Sequence, residues 1–92
     1  MDLSSLSALE IRAMELAEAD ASMIHQLVQV RITSGLTQAE VGKRMGITQP
    51  SVAAFESYDN DPKLSTIQRY ALAVGARITH TVEVAPSGAG QK

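Results

Sequence analysis

The sequence predicts an all-α domain of about five helices, followed by one C-terminal β-strand. Capping-box motifs, in which Ser or Thr is followed three residues later by Glu or Gln, occur at three points in the chain. Apolar residues then recur at steps of three and four, as one face of a helix requires. After Gly75 the pattern changes to alternation of apolar and polar residues, which is typical of a strand. With 45% apolar and 20% charged residues, the 92-residue chain suffices for one compact domain.

Two helical segments are predicted in the N-terminal third of the chain. Ser7 and Glu10 form the first capping box. A second apolar stripe, over 24–32, runs up to Gly35, where glycine can adopt the left-handed conformation that ends a helix. Because residues 19–22 contain neither Gly nor Pro, the two segments either form separate helices or join into one. The first apolar stripe comprises Leu6, Leu9, Ala13, Leu16 and Ala17.

Two short helices, over about 38–45 and 49–57, carry the main functional signal. Helices this short bury a face only by crossing each other steeply. Gly42 would lie at the crossing, where a larger side chain would keep the backbones apart. Gly46 supplies the turn between the helices, since glycine readily adopts a positive φ. This spacing predicts a helix-turn-helix, whose second helix enters the major groove of DNA.

One more helix and a strand complete the predicted domain. A capping box at Ser65 predicts a helix that ends at Gly75, and residues 86–92 are expected to be a disordered tail. Residues 77–85 form the predicted strand. A lone strand leaves its backbone unpaired, so we expect it to pair with the same strand of a second copy in a homodimer. The face of the strand assigned to dimerisation comprises Ile78, His80, Val82 and Val84.

The stretch LTQAEVGKRMGITQPSV at 36–52, followed by Phe55 and Glu56, resembles the signature of the Xre family of helix-turn-helix proteins, which includes the lambdoid repressors. The resemblance extends over about 23–75 and departs from the family at Tyr58, where glycine is common. It implies a lambda-repressor-like DNA-binding domain, which we assign to residues 22–76. A terminal strand after the helical domain is also similar to the HigA and HipB groups of antitoxin repressors.

The resemblance implies DNA contacts around the starts of the two short helices. Gln49 carries a carboxamide that can pair with adenine N6 and N7, whereas the other polar contacts would hold phosphates. Pro50 and Ala54 occupy positions where other members often carry base-reading polar residues. Without the helix-turn-helix spacing, Gln49 and Ser51 would be interpreted as helix-capping residues only. The predicted DNA-binding set comprises Gln38, Lys43, Thr48, Gln49, Pro50, Ser51 and Ala54.

Charge is unevenly distributed along the chain, whose net charge is −2. Residues 1–21 carry five acidic side chains and one arginine, which gives −4, and the remainder carries +2. We expect 1–21 to form an acidic helical arm that either contacts a basic partner, such as an RNA-cleaving toxin, or packs on the core. The predicted partner-binding residues are Leu6, Leu9, Ala13, Leu16, Glu10 and Glu15.

Composition argues against an enzyme. The absence of cysteine excludes disulfides and thiolate chemistry, and two histidines cannot build a metal centre alone. The acidic run over 59–61 lacks the glycine and the distal glutamate of a calcium loop. We therefore expect no cofactor and no metal. The N-terminal residues lack the pattern of a signal peptide, and no apolar run reaches the roughly 18 residues of a membrane span, so we expect a cytoplasmic protein.

Together these patterns predict a sequence-specific repressor that binds a palindromic operator in double-stranded DNA. As an antitoxin it would neutralise a cognate toxin protein and repress its own operon. Two alternatives stay open. One is a phage or host regulator of the same type without a toxin, and the other is a protein-interaction module that has lost DNA binding, which the negative net charge permits.

Overall fold

Four α-helices are present in the computed structural model, which describes residues 7–58 and 61–85. The expectation of about five helices is wrong for this part of the chain, because the two N-terminal segments join. Residues 19–22 contain no helix breaker, so the helix continues through them at little cost. The predicted tail, 86–92, lies outside the described residues. The helices are α1 (Ala8–Thr33), α2 (Gln38–Met45), α3 (Gln49–Ser57) and α4 (Leu64–Val74).

Two of the three predicted capping boxes are confirmed. At the start of α1, the Ser7 amide donates to Glu10 Oε1 at 2.8 Å, and the Glu10 amide donates to Ser7 Oγ at 3.1 Å. Thr37 and Glu40 form the same pair at the start of α2. The capping box predicted at Ser65 is wrong, since α4 follows Lys63 as its N-cap without a side-chain cap, but the helix ends at Gly75 as predicted.

The core lies between the second half of α1 and the three shorter helices. Tyr70 is its largest fully buried side chain. In contrast, residues 8–22 of α1 contribute no buried side chain, and Leu9 and Leu16 are 78% and 64% exposed. The N-terminal half of α1 therefore extends the helix beyond the core. The buried apolar residues are Ile24, Leu27, Val41, Met45, Val52, Phe55, Ile67, Tyr70, Ala71, Ala73 and Val74.

The segment after α4 lies outside the helices. Ile78 is half-buried and packs against the core, whereas His80, Val82 and Val84 are exposed. Within 7–58 and 61–85 no residue is assigned to a strand. A strand ladder requires a second strand to bond with, so the predicted pairing needs another copy of the chain.

Glycines allow α2 and α3 to meet at a tight turn. A Cβ on Gly42 would lie 2.8 Å from the carbonyl oxygen of Ile47, which is too close for any side chain without a backbone shift. Gly46 ends α2 with φ +74°, and Thr48 caps α3 by accepting from the Ser51 amide at 3.2 Å. These features are the crossed pair of short helices that the spacing predicts.

The substitution Gly42→Leu is expected to lower the free energy of unfolding by about 2 kcal/mol or more, because overpacking a closed contact costs roughly 1–3 kcal/mol. Urea unfolding followed by circular dichroism measures the change. Ala39→Leu introduces the same side chain at an exposed position of α2, where we expect a change within about 0.5 kcal/mol. Equal stabilities of the two variants would contradict the close approach at Gly42.

Candidate nucleic-acid interface

The side chains that open α2 and α3 are joined to each other. Gln49 Nε2 donates a hydrogen bond to Gln38 Oε1. Gln49 is exposed and Gln38 is half-buried. A carboxamide has two N–H donors and an acceptor oxygen, so this bond leaves Gln49 with one N–H and its oxygen for a further partner. The close crossing at Gly42 brings the two helix starts within reach of each other.

A buried carboxylate holds Gln38 in turn. Glu56, near the end of α3, accepts from Gln38 Nε2 at 2.9 Å and from the Tyr70 hydroxyl at 2.6 Å. Arg31 binds the same carboxylate with two bonds, from Nε at 2.6 Å and from Nη2 at 3.1 Å. Its Nη1 also donates to the Leu36 carbonyl at 2.8 Å. The Glu56 side chain is only 8% exposed, so this network is shielded from water.

The network keeps Glu56 ionised despite its burial. Burial raises the pKa of Glu56, but the hydrogen bonds from Arg31, Tyr70 and Gln38 outweigh it and leave the pKa below its ordinary value. The hydrogen bond to Glu56 raises the pKa of Arg31. Burial, together with the hydrogen bond to Glu56, raises the pKa of Tyr70. At neutral pH the charged pair and the neutral phenol are therefore the stable forms.

The first turn of α3 carries most of the predicted DNA-binding residues on its surface. Thr48, Gln49, Pro50 and Ser51 are all exposed, and Ala54 is half-buried one turn later. The Thr48 and Ser51 hydroxyls lie 2.8 Å apart and share a hydrogen bond. These residues and Gln38 form one continuous surface at the start of the two helices.

Lys43 lies apart from that surface. It is exposed in the last turn of α2, five residues after Gln38. Its neighbour Arg44 has a structural role, since Arg44 Nη1 donates to the Ala73 carbonyl of α4 at 2.7 Å. Arg69 of α4 donates in the opposite direction, to the Met45 carbonyl of α2. The two arginines therefore brace α2 against α4.

Sequence reasoning missed Arg31 and Tyr70 as residues that position the site. Glu56 pairs with Arg31 at the edge of the core. Arg31 had a visible signal, because it occupies the apolar stripe of α1 over 24–32, where a charge requires a buried partner. Tyr70 stacks on Phe55 with the ring centroids 4.6 Å apart, and nothing in its local sequence indicates the hydroxyl's partner.

Two other classes of site are absent from the described ranges, 7–58 and 61–85. They contain no group of three or more His, Cys, Asp or Glu side chains that could hold a metal ion. They also contain no helix with the length and apolar character needed to span a bilayer.

At neutral pH, Glu56→Gln is expected to lower the free energy of unfolding by about 3 kcal/mol, because it leaves the charge of Arg31 buried without its partner. The pKa of Glu56 is lower in the folded than in the unfolded chain. The ionised Glu56 therefore stabilises the folded chain fully above pH 4.5, its usual pKa. This stabilisation is lost as the pH falls through the lower pKa that Glu56 has in the folded chain. Urea unfolding across this pH range should show the two proteins converging in acid.

Glu18→Gln is the matched control for this experiment, since Glu18 is exposed on α1. We expect it to stay within about 0.5 kcal/mol of the wild type at each pH. A gap between Glu56→Gln and the wild type that does not change with pH would contradict the assigned charge state.

Comparisons with known proteins agree with this geometry. A helix-turn-helix family profile matches residues 27–79. The chain is also similar to Antitoxin HigA1 of Mycobacterium tuberculosis, in strains CDC 1551 / Oshkosh and ATCC 25618 / H37Rv. Each match is 46% identical over 71 residues, which is 77% of this chain.

The chain spans about half the length of the curated relatives it matches, since the alignment covers 48% of each. No solved structure matches the chain significantly. The family match covers more than half of the 92 residues and includes α2, α3 and the turn between them. The chain therefore belongs to the helix-turn-helix family, of the Xre type that its residues resemble.

Proposed function

We propose that this chain is the antitoxin of a toxin–antitoxin pair and a repressor of its own operon. It acts in the cytoplasm as a homodimer, by binding and not by catalysis. The observation that carries the proposal is the Gln38–Gln49 pair, in which Glu56 holds Gln38 and Gln49 is exposed at the start of α3. Similarity to an antitoxin over 71 residues supports the same conclusion.

In the proposed complex α3 lies in the major groove, and Gln49 faces the edges of the bases. Its free N–H and its oxygen match adenine N7 and N6, while Gln38 keeps the side chain oriented. The amide groups at the starts of α2 and α3 favour phosphates, because the helix dipole is positive there. Further hydrogen bonds to the phosphates of the DNA backbone come from Gln38, Thr48 and Ser51, and Lys43 adds a positive charge.

A homodimer through residues 77–85 supplies the symmetry that a palindromic operator requires. Val82 and Val84 are 96% and 90% exposed, so the single chain leaves these two side chains uncovered. Pairing with the same segment of a second copy would cover these side chains and satisfy the backbone. Two copies of α3 would then face successive turns of the major groove, about 34 Å apart.

The N-terminal half of α1 is the proposed contact for the toxin. Leu9, Ala13 and Leu16 lie on one side of the helix and are exposed, and Glu10 and Glu15 supply negative charge. Glu10 also closes the capping box, and Glu15 lies 3.5 Å from Arg12. Leu6, predicted to join this surface, lies outside the described residues. A basic, partly apolar surface on the toxin would complement the arm.

In a gel-shift titration with the DNA upstream of its gene, the affinity should fall with salt at a log–log slope of about −0.9 per phosphate neutralised. Gln49→Ala is expected to weaken binding about tenfold or more, because a bidentate base contact is lost. Gln26→Ala, at an exposed position of α1, is the control and should bind like the wild type. A flat salt response, or no binding in about 50 mM salt, would remove the repressor function.

For the dimer, Val82→Pro is expected to yield monomers, because proline removes a backbone donor from the paired strand. Analytical ultracentrifugation measures the mass. Binding to the full operator should weaken far more than binding to a half-site. Val82→Thr keeps the donor and should remain dimeric. A dimeric Val82→Pro protein would show that the copies meet through another surface.

The antitoxin function predicts that a small protein encoded beside this gene co-purifies with the chain. Leu9→Gln combined with Leu16→Gln should abolish that complex and leave stability and DNA binding unchanged, since both side chains are exposed. Met14→Gln changes the opposite side of α1 and serves as the control. Loss of DNA binding in the double variant would show that the arm is structural. If no neighbouring protein binds, the chain is a regulator without a toxin.

A further inference from the structure

We infer that α3 recognises its operator half-site mainly through the C5-methyl groups of thymines, which Pro50, Ala53 and Ala54 contact. This inference rests on the proposed insertion of α3 into the major groove. Two features of α3 support it: the composition of its outward face and the hydrogen bonds that its polar side chains make within the chain.

Small, mostly apolar residues occupy the middle of that face. Val52 and Phe55 are buried and define the side of α3 that meets the core. With 3.6 residues per turn, the side directly opposite consists of four positions, and Gln49 and Ser51 lie at its edges. Three of the four carry only carbon atoms in their side chains. The four positions are Pro50, Ala53, Ala54 and Ser57.

Hydrogen bonds within the chain already engage the polar side chains of α3. The Ser51 hydroxyl is paired with Thr48, and the Ser57 hydroxyl donates to the Ala54 carbonyl at 3.0 Å. Glu56 is buried under its four donors. Gln49 is the one long polar side chain on this helix that reaches the surface, and half of its amide donors hold Gln38.

A face of this kind discriminates between bases by apolar contact. In the major groove each base pair presents its own pattern of donors and acceptors, and only A·T pairs add an apolar methyl group, on C5 of thymine. Burying that methyl group against the proline ring and the two alanine methyls stabilises the complex. These side chains cannot form hydrogen bonds with the O6 and N7 acceptors of guanine or with the N4 donor of cytosine. Their small size also lets the helix approach the bases closely.

Uracil substitution tests the inference directly. Duplexes are first selected from a randomised pool with the full chain, and each thymine is then replaced by deoxyuridine, which keeps the base pair and O4 but lacks the methyl group. We expect about a fourfold loss of affinity for each methyl removed opposite α3, which is the worth of one buried methyl, and no loss at thymines outside the contacted groove. Equal affinities for the thymine and deoxyuridine duplexes at every position would overturn this inference and leave the proposed repressor function standing.

The variant Ala54→Gly assigns the contact to the residue. The readout is the ratio of affinities for thymine and uracil duplexes, which a general loss of helix stability does not change. We expect this ratio to fall to about one at a single thymine position of the duplex and to stay unchanged at the other positions. Ala19→Gly, at an exposed site of α1, carries a similar helix penalty and should leave every ratio unchanged.

Three further results would count against the inference. If neither Ala54→Gly nor Ala53→Gly changes any ratio, the assignment to α3 is overturned. A selected half-site with only G·C pairs opposite α3 overturns it as well. If no duplex is selected from the pool, both the proposed repressor function and this inference fail.

Discussion

The carboxylate of Glu56 is the point at which all four helices meet. It is carried by α3, and it binds Arg31 of α1, Gln38 of α2 and Tyr70 of α4. Removing one partner from a buried charged group costs about 3–5 kcal/mol, a large share of the stability of a small domain. Because Gln38 is one of the donors, the interaction that fixes the packing of the helices also fixes the orientation of Gln49.

Features that depend on neighbouring residues could be predicted from the sequence. The capping boxes at Ser7 and Thr37, and the turn at Gly46, each use residues within four positions of one another. The same rule failed at Ser65, because the Lys63 carbonyl already accepts from the Ile67 amide and starts the helix earlier. A local motif indicates that a helix starts nearby, but the packing of the whole chain selects the residue.

The candidate site divides in the same way. The surface residues of α3 could be predicted because the helix-turn-helix spacing orients them. The network beneath them could not, since its members are 14 to 25 residues apart and only the assembled core brings them together. The number of helices could not be predicted in the same way. Residues 19–22 contain no helix breaker, and such a sequence is compatible with one long helix or with two separate ones.

The continuity of α1 has a mechanical consequence. Its 26 residues form a rod about 39 Å long, with the acidic arm at one end and Arg31 near the other. An α-helix without proline or an internal glycine has no hinge. A molecule bound to the N-terminal half of α1 would therefore be joined through one continuous helix to Arg31, which binds Glu56 of α3.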